Sequence, residues 1–374
     1  MRDRFRAAGR RRAVRMLALG ALLPLLARAP LAARERPSVI RIGAPSIAVD
    51  PDNYYGALGL ARYHGWLRQA FERDGVRLQM VGYRGGAPLV GQALANGQID
   101  FAWQGDMLSL IGRSGGIRSR LILPMTRMSN AYLAVAPRSP VRSVADLRGR
   151  RVTYAKGNQI QLQVIRILAE HGMAERDIRS VALDRSIAAA ALASGDVDAI
   201  FGGADLLALR DRGLARIVYD TRGQPVETTS FNALLVNEDF AERYPWEVVG
   251  LVKALVRGLH WATQAGNREA LFRLWSEGGA TASRYYLRED FEGRPLQDYL
   301  SPLLDPLFVA HYRRTQDLMF ELRLMRGRRV DLGEWIDRRY LAQALGELGL
   351  RDHWSPLDAQ GRPLARNPTP QERR

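Results

Sequence analysis

Cysteine is absent from the 374-residue chain. That rules out a disulfide, a thiolate metal site, a cysteine nucleophile and a lipid-modified N-terminal cysteine. Lysine is nearly absent: Lys156 and Lys253 are the only two, so the other 53 of the 55 basic residues are arginine. No Gly-x-Ser-x-Gly elbow, phosphate-binding Gly-Lys-Ser/Thr loop or Gly-x-Gly-x-x-Gly fingerprint follows a strand-like segment, which removes the local signatures of three large enzyme classes. The five histidines, His64, His171, His260, His311 and His353, are far apart in sequence, and none has another three or four residues away to make a metal pair on one helix. What is present, 47% hydrophobic and 25% charged residues over this length, describes a folded chain of two or three domains.

The formal net charge is +16, but eight arginines and one acid fall within residues 1–33, a local charge of +7. Without them the remainder stands at +9, with basic residues scattered among acids rather than gathered into a stripe, so nucleic acid is not the expected partner. The basic run leads into an apolar stretch, Met16 to Ala27, broken by Pro24 and followed by Ala29, Ala32 and Ala33. It is shorter than the ~20 residues of a bilayer span and has the layout of an export signal. The expectation is therefore a 1–33 signal, by the general or the twin-arginine route, and a soluble mature protein outside the cytoplasm.

Beyond residue 38 a β-α-β-α-β order is legible twice. In the first copy Val39 to Gly43, Val76 to Val81 and Ile99 to Trp103 read as strands, and Tyr54 to Phe71 and Leu89 to Leu94 as helices, the first broken at Gly65. In the second, the strands are Arg151 to Tyr154, Ile178 to Leu183 and Val197 to Phe201, and the helices Gln161 to Glu170 and Ile187 to Ala193. The copies match in residues: Ala93-Leu94-Ala95-Asn96-Gly97-Gln98-Ile99-Asp100 returns 98 positions later as Ala191-Leu192-Ala193-Ser194-Gly195-Asp196-Val197-Asp198. Each is a small-residue helix stopped by a C-terminal glycine that turns into a buried strand. This alternation predicts an α/β protein with two parallel sheets, hence two lobes. Lobe one covers 39–129, lobe two 132–226, and residues 228–350 return to lobe one and add helices; two crossings make a hinge. Ser143 is expected to cap a helical turn at Val144 to Leu147. The Pro- and Gly-rich stretch 354–374 reads as a disordered tail.

Open α/β sheets bind ligands beyond the carboxyl ends of their strands. Four loops fall there: Gly85-Gly86-Ala87-Pro88, Gln104-Gly105-Asp106, Lys156-Gly157-Asn158-Gln159 and Gly202-Gly203-Ala204-Asp205. The first and third open helices, whose N–H groups and dipole attract an anion. Lys156 reads either as a solvated loop residue or as an anion's partner. The pairs Asp196/Asp198 and Asp100/Asp106 read as caps of helices and turns rather than as acid and base. Paired polar loops facing a hinge point to a cleft for a small anion.

These residues also carry a resemblance. Gly65-Trp66, Gly85-Gly86-Ala87-Pro88, the run Ala93 to Ala102, Gly105-Asp106, Ser143 to Val152 with Lys156-Gly157, Leu235 to Ala241 and Ile336 to Leu341 resemble the periplasmic substrate-binding proteins of ABC transporters for aliphatic sulfonates, nitrate and taurine, over residues 39–345. The resemblance implies a two-lobed type II periplasmic binding protein, monomeric and without a cofactor or catalytic residues, that passes its ligand to a permease and ATPase. It departs from many relatives at Gly202 to Leu206, where an aromatic and a proline are missing. Asn53, Tyr54, Gln104 and Asn130 then become the expected side-chain contacts from lobe one and the hinge, with Thr229 and Ser230 at the second crossing. Gly85, Gly86, Lys156, Gly157, Asn158 and Gln159 complete the set, and Asp106 and Asp205 orient neighbouring donors or meet a cationic amine. A pyrimidine or related vitamin precursor is the alternative ligand, stacked on Tyr54, Trp103 or Tyr154; an enzyme would need a catalytic pair across the cleft.

Overall fold

The computed structural model describes residues 35–45, 54–83, 87–183, 185–277 and 284–364. The expected signal at 1–33 and the site candidates Asn53, Gly85 and Gly86 lie outside these. The chain divides into residues 1–35 and 36–374, and the fold lies in the second.

The first repeat builds β1 (Val39–Pro45), α1 (Gly56–Tyr63), α2 (Trp66–Phe71), β2 (Arg77–Tyr83), α3 (Ala87–Ala95), β3 (Phe101–Gly105) and α4 (Asp106–Ser114). An eleven-residue strand, β4 (Ser119–Ser129), then leads to the first crossing and to β5 (Tyr132–Val135). The second repeat gives β6 (Arg151–Thr153), α5 (Gln159–Glu170), β7 (Arg179–Val181), α6 (Arg185–Ser194), β8 (Ala199–Gly202), α7 (Asp205–Asp211) and β9 (Arg216–Asp220). The second crossing ends at β10 (Ser230–Asn237).

Two five-stranded sheets result, ordered β2-β1-β3-β10-β4 and β7-β6-β8-β5-β9. The sheets are mixed, which corrects the expectation of purely parallel ones. β1 pairs in parallel with β2 and β3, and β6 with β7 and β8, whereas β10 and β5 run antiparallel to both neighbours. Each antiparallel strand is the one that arrives from the other lobe, so the inversion follows from the crossing. The strand order puts β2 and β7 at the sheet edges away from the crossings.

In both copies the small-residue helix closes as its sequence implies. Gly97 and Gly195 take φ of 66° and 81°, and their N–H groups bond Leu94 O at 3.2 Å and Leu192 O at 3.3 Å. β5 alternates cleanly: Tyr132 and Ala134 join the main apolar cluster, while Leu133 and Val135 face a smaller one with Val152, Phe201 and Val164, Ile167 and Leu168 of α5. The turn before β6 is capped in the reverse sense to the expectation: Asp146 accepts from the N–H and hydroxyl of Ser143 at 3.0 and 3.1 Å.

The remainder adds α8 (Glu238–Arg243), α9 (Pro245–Thr263), α10 (Arg268–Glu277), α11 (Arg284–Asp290), α12 (Leu296–Tyr299), α13 (Pro306–Glu321), α14 (Leu332–Trp335) and α15 (Arg339–Leu348). α9 packs between α1, α2 and α15. Among the described residues no helix is long and apolar enough to cross a membrane. Residues 354–364 pack instead of trailing away: Trp354 and Leu357 are buried, and Leu357 bridges to Pro363. Two apolar anchors outweigh the Pro/Gly composition there; residues 365–374 lie outside the description.

Candidate functional site

Helices α3 to α7 each follow a parallel strand, so their N-terminal ends sit at the carboxyl edges of the two sheets, where backbone N–H groups and helix dipoles favour an anion. Closest to the seam between the lobes are β3, α4 and α5. Gly105 ends β3, and a side chain there would run into the carboxamide of Gln159, the first residue of α5 in the other lobe. Asn232 of β10 lies at the same spot and donates to Thr126 Oγ1 at 2.6 Å. Gln159, Asn232 and Thr126 thus surround a glycine whose lack of a side chain lets the lobes approach.

The loop before α5 is held in place from within lobe two. Gly157, at φ 73°, donates its N–H to Gln161 Oε1 at 2.8 Å. The Gln161 amide in turn reaches Glu175 at 3.2 Å, and Glu175 also takes the Tyr154 hydroxyl. Burial and the Glu175 contact push the Tyr154 phenol above its ordinary range. Asn158 caps α5 by accepting from Ile160 N–H at 2.9 Å. Lys156 stays half-exposed, its ammonium 3.8 Å from Glu175. The loop is pre-organised, with a half-exposed cation beside Glu175 and the Tyr154 ring.

Other expected contacts make bonds within the fold. Asp106 is fully buried: one oxygen accepts from Met107 N–H at 2.7 Å and the other meets His311 Nε2 at 2.5 Å. Burial pulls the His311 pKa down against the raising effect of Asp106. Asn130 donates to the Asp290 carbonyl and carboxylate at 2.9 and 3.1 Å and accepts from Thr221 Oγ1 at 3.1 Å. Tyr132 hydroxyl reaches the same carboxylate at 2.6 Å. Asn130 is therefore a hinge brace. Thr229 is buried with its hydroxyl on Val226 O at 2.6 Å, and Ser230 is buried at the start of β10.

Gln104 is buried with its amide nitrogen against Gly91 of α3. Tyr54 is half-buried, edge-on to Tyr63 with centroids 5.2 Å apart and the Arg62 guanidinium 5.5 Å from its ring centre. Asp205 starts α7 and is half-buried. Asp100 and Asp198 serve as turn anchors. His260 and His353, distant in sequence, meet with ring centroids 4.5 Å apart; among the described residues no group of three or more metal-ligating side chains forms. Sequence reasoning missed Asn232, Thr126, Gln163, Arg166 and His311. Only the 159/163/166 spacing on α5, a polar stripe opposite Val164, Ile167 and Leu168, could have signalled any of them.

This geometry, two mixed α/β sheets joined by two crossings with helix N-termini at the seam, defines a two-lobed periplasmic binding protein fold. A family model described as NMT1/THI5 like matches residues 53–268, more than half of the chain, and the chain belongs to that family. A Bacillus subtilis (strain 168) protein named for aliphatic sulfonate binding is 24% identical over 290 residues, 77% of this chain and 84% of the relative. The solved structure of a periplasmic sulfonate-binding protein, SsuA, from Methylobacillus flagellatus KT superimposes with a TM-score of 0.75 at 26% identity, covering 86% of this chain and 97% of that one. The desulfurization enzyme DSZB shares the fold, with a TM-score of 0.65 at 21% identity over 83% of this chain and 99% of that one.

Proposed function

We propose that this protein is an extracytoplasmic solute-binding protein that captures a small organic anion, an alkanesulfonate or close relative, and delivers it to the permease and ATPase of an ABC importer. The observation that carries the reading is the meeting of β3 and the α5 N-terminus across the two lobes at Gly105 and Gln159. An anion there meets the N-terminal end of α5, whose preceding loop carries the half-exposed Lys156, and it can bridge both lobes, as a ligand that shifts a closing equilibrium must. The sulfonate-binding names of two relatives, one of them aligned over 97% of its length, support the ligand class.

An enzymatic reading has less support. There is no thiolate to act as nucleophile, and the His311–Asp106 pair is sealed, with side chains 2% and 1% exposed. The test is to unfold and refold the mature protein, freeing it of bound ligand, and to follow its melting against alkanesulfonates, taurine, nitrate, sulfate and pyrimidines. A ligand at 100 times its Kd is expected to add about 2.7 kcal/mol. A shift confined to sulfonates supports the reading; a shift confined to heterocycles overturns the ligand class, and a flat panel overturns solute binding within this set.

A further inference from the structure

Helix α5 carries Gln159, Gln163 and Arg166 at the spacing that aligns side chains on one helical face, while Val164, Ile167 and Leu168 are buried in the lobe-two core. All three polar residues reach across the seam. Gln159 abuts Gly105, and Arg166 donates to Thr315 Oγ1 of α13 at 2.8 Å. Gln163, fully buried, donates to Ser129 O at 2.9 Å and Thr228 O at 3.1 Å. Ser129 ends β4 at the first crossing, and Thr228 stands two residues before β10 at the second. One side-chain amide therefore holds both strands of the hinge.

We propose that Gln163 is a positioning residue for solute capture: it couples the two crossings to α5, so that the helix whose first turn walls the site turns with the hinge rather than independently of it. The purpose rests on the solute-binding reading above; the geometry does not. A primary amide suits the role because its one nitrogen carries two N–H donors for two carbonyls and no charge to bury. The Gln163 carbonyl and Arg166 Nη1, one turn apart on the same face, are buried with no hydrogen-bond partner among the described residues.

The cysteine-free chain permits a clean test. Leu89→Cys and Ile187→Cys place one spin label on each lobe, at half-exposed, repeat-equivalent positions in the first turns of α3 and α6. The ligand-free distance distribution between them is then measured with Gln163 intact and in Gln163→Met, which fills the space without donors. The distribution is expected to widen about twofold in Gln163→Met as hinge and helix uncouple, with a lowered Tm because two buried carbonyls lose their donor. A folded Gln163→Met protein with an unchanged distribution overturns the proposal. If Gln163→Met does not fold, Gln163→Asn, an amide one methylene too short to reach both carbonyls, decides by the same criterion. No ligand is added, so failure of the sulfonate reading would show in the melting panel and leave this readout unaffected.

Discussion

The two lobes are copies of one unit that have come to bury their charges differently. In lobe one Asp100 accepts the Arg41 N–H at 2.7 Å and returns its own N–H to Arg41 O at 3.0 Å. In lobe two Asp198 and Arg151 repeat the exchange at 2.8 and 2.7 Å. The loops that follow then diverge. After β3, Asp106 is buried beneath His311 of α13, and the residue left at the seam is Gly105; after β8, Asp205 remains half-buried. The difference lies at α13, whose His311 covers Asp106, whereas Asp205 at the start of α7 has α11 beside it and stays half-buried. At the equivalent loops lobe one presents a sealed carboxylate and lobe two a half-buried one.

The largest test of that contrast removes what the C-terminal region contributes to lobe one. Arg127 of β4 and Asp305 form an ion pair with side chains 0% and 1% exposed, bonded at 2.8 and 3.1 Å. Asp305 also caps α13 through Phe308 N–H at 3.1 Å and anchors the chain end through Leu357 N–H at 3.0 Å. Asp305→Ala leaves a buried guanidinium uncompensated and is expected to cost about 3–5 kcal/mol in urea unfolding. A loss below about 1 kcal/mol, the value of a surface pair, would mean that the C-terminal cover does not bear on lobe one.

A smaller, more local contrast sits at the glycines of the two loops. Alanine at Gly105 collides with the end of the Gln159 side chain and comes to 3.3 Å from Asn232 Oδ1, whereas alanine at Gly203 meets Asp205 at an ordinary 3.4 Å. Gln159 can swing aside, so Gly105→Ala should leave Tm nearly unchanged and weaken binding of whichever sulfonate the panel identifies by about tenfold, ~1.4 kcal/mol. Gly203→Ala should do neither. Gln159→Ala added to Gly105→Ala should recover part of the loss; calorimetric affinities that fail to separate the two glycines would displace the site from the Gly105 seam.

How much of this was legible in sequence divides along the same line. The repeat units were, because the helix, C-terminal glycine and buried strand of each are specified by neighbours in the chain. β4 and β9 were missed: Pro124 and Arg127 interrupt the apolar pattern of β4, and β9 is half-buried throughout. The bonds that hold the site candidates were not legible where their partners lie far downstream. Asn130 is held by Asp290 and Asp106 by His311, 160 and 205 residues away, and no local pattern announces either. Asn158 did fall at a helix N-terminus as read, but its oxygen is spent on the cap.

The finest contrast uses the pins themselves. Burial raises the Asp100 pKa despite the Arg41 bonds, whereas at Asp198 burial is overcome by the backbone and side-chain bonds from Arg151 and the pKa falls. The signs of their stability contributions are therefore opposite. The depressed Asp198 stabilises above its unfolded value and loses that contribution as pH falls through its folded value. The raised Asp100 contributes fully below its unfolded value and loses the contribution as pH rises through its folded value. Asp198→Asn should destabilise at neutral pH, with the cost shrinking as pH falls below the ordinary carboxylate range and through the depressed folded value. Asp100→Asn keeps an acceptor for the Arg41 N–H and relieves a buried charge, so at neutral pH it should be neutral or slightly stabilising. Urea midpoints of the two variants at both pH values check this, and parallel pH dependences would show that the lobes bury their repeated aspartates alike.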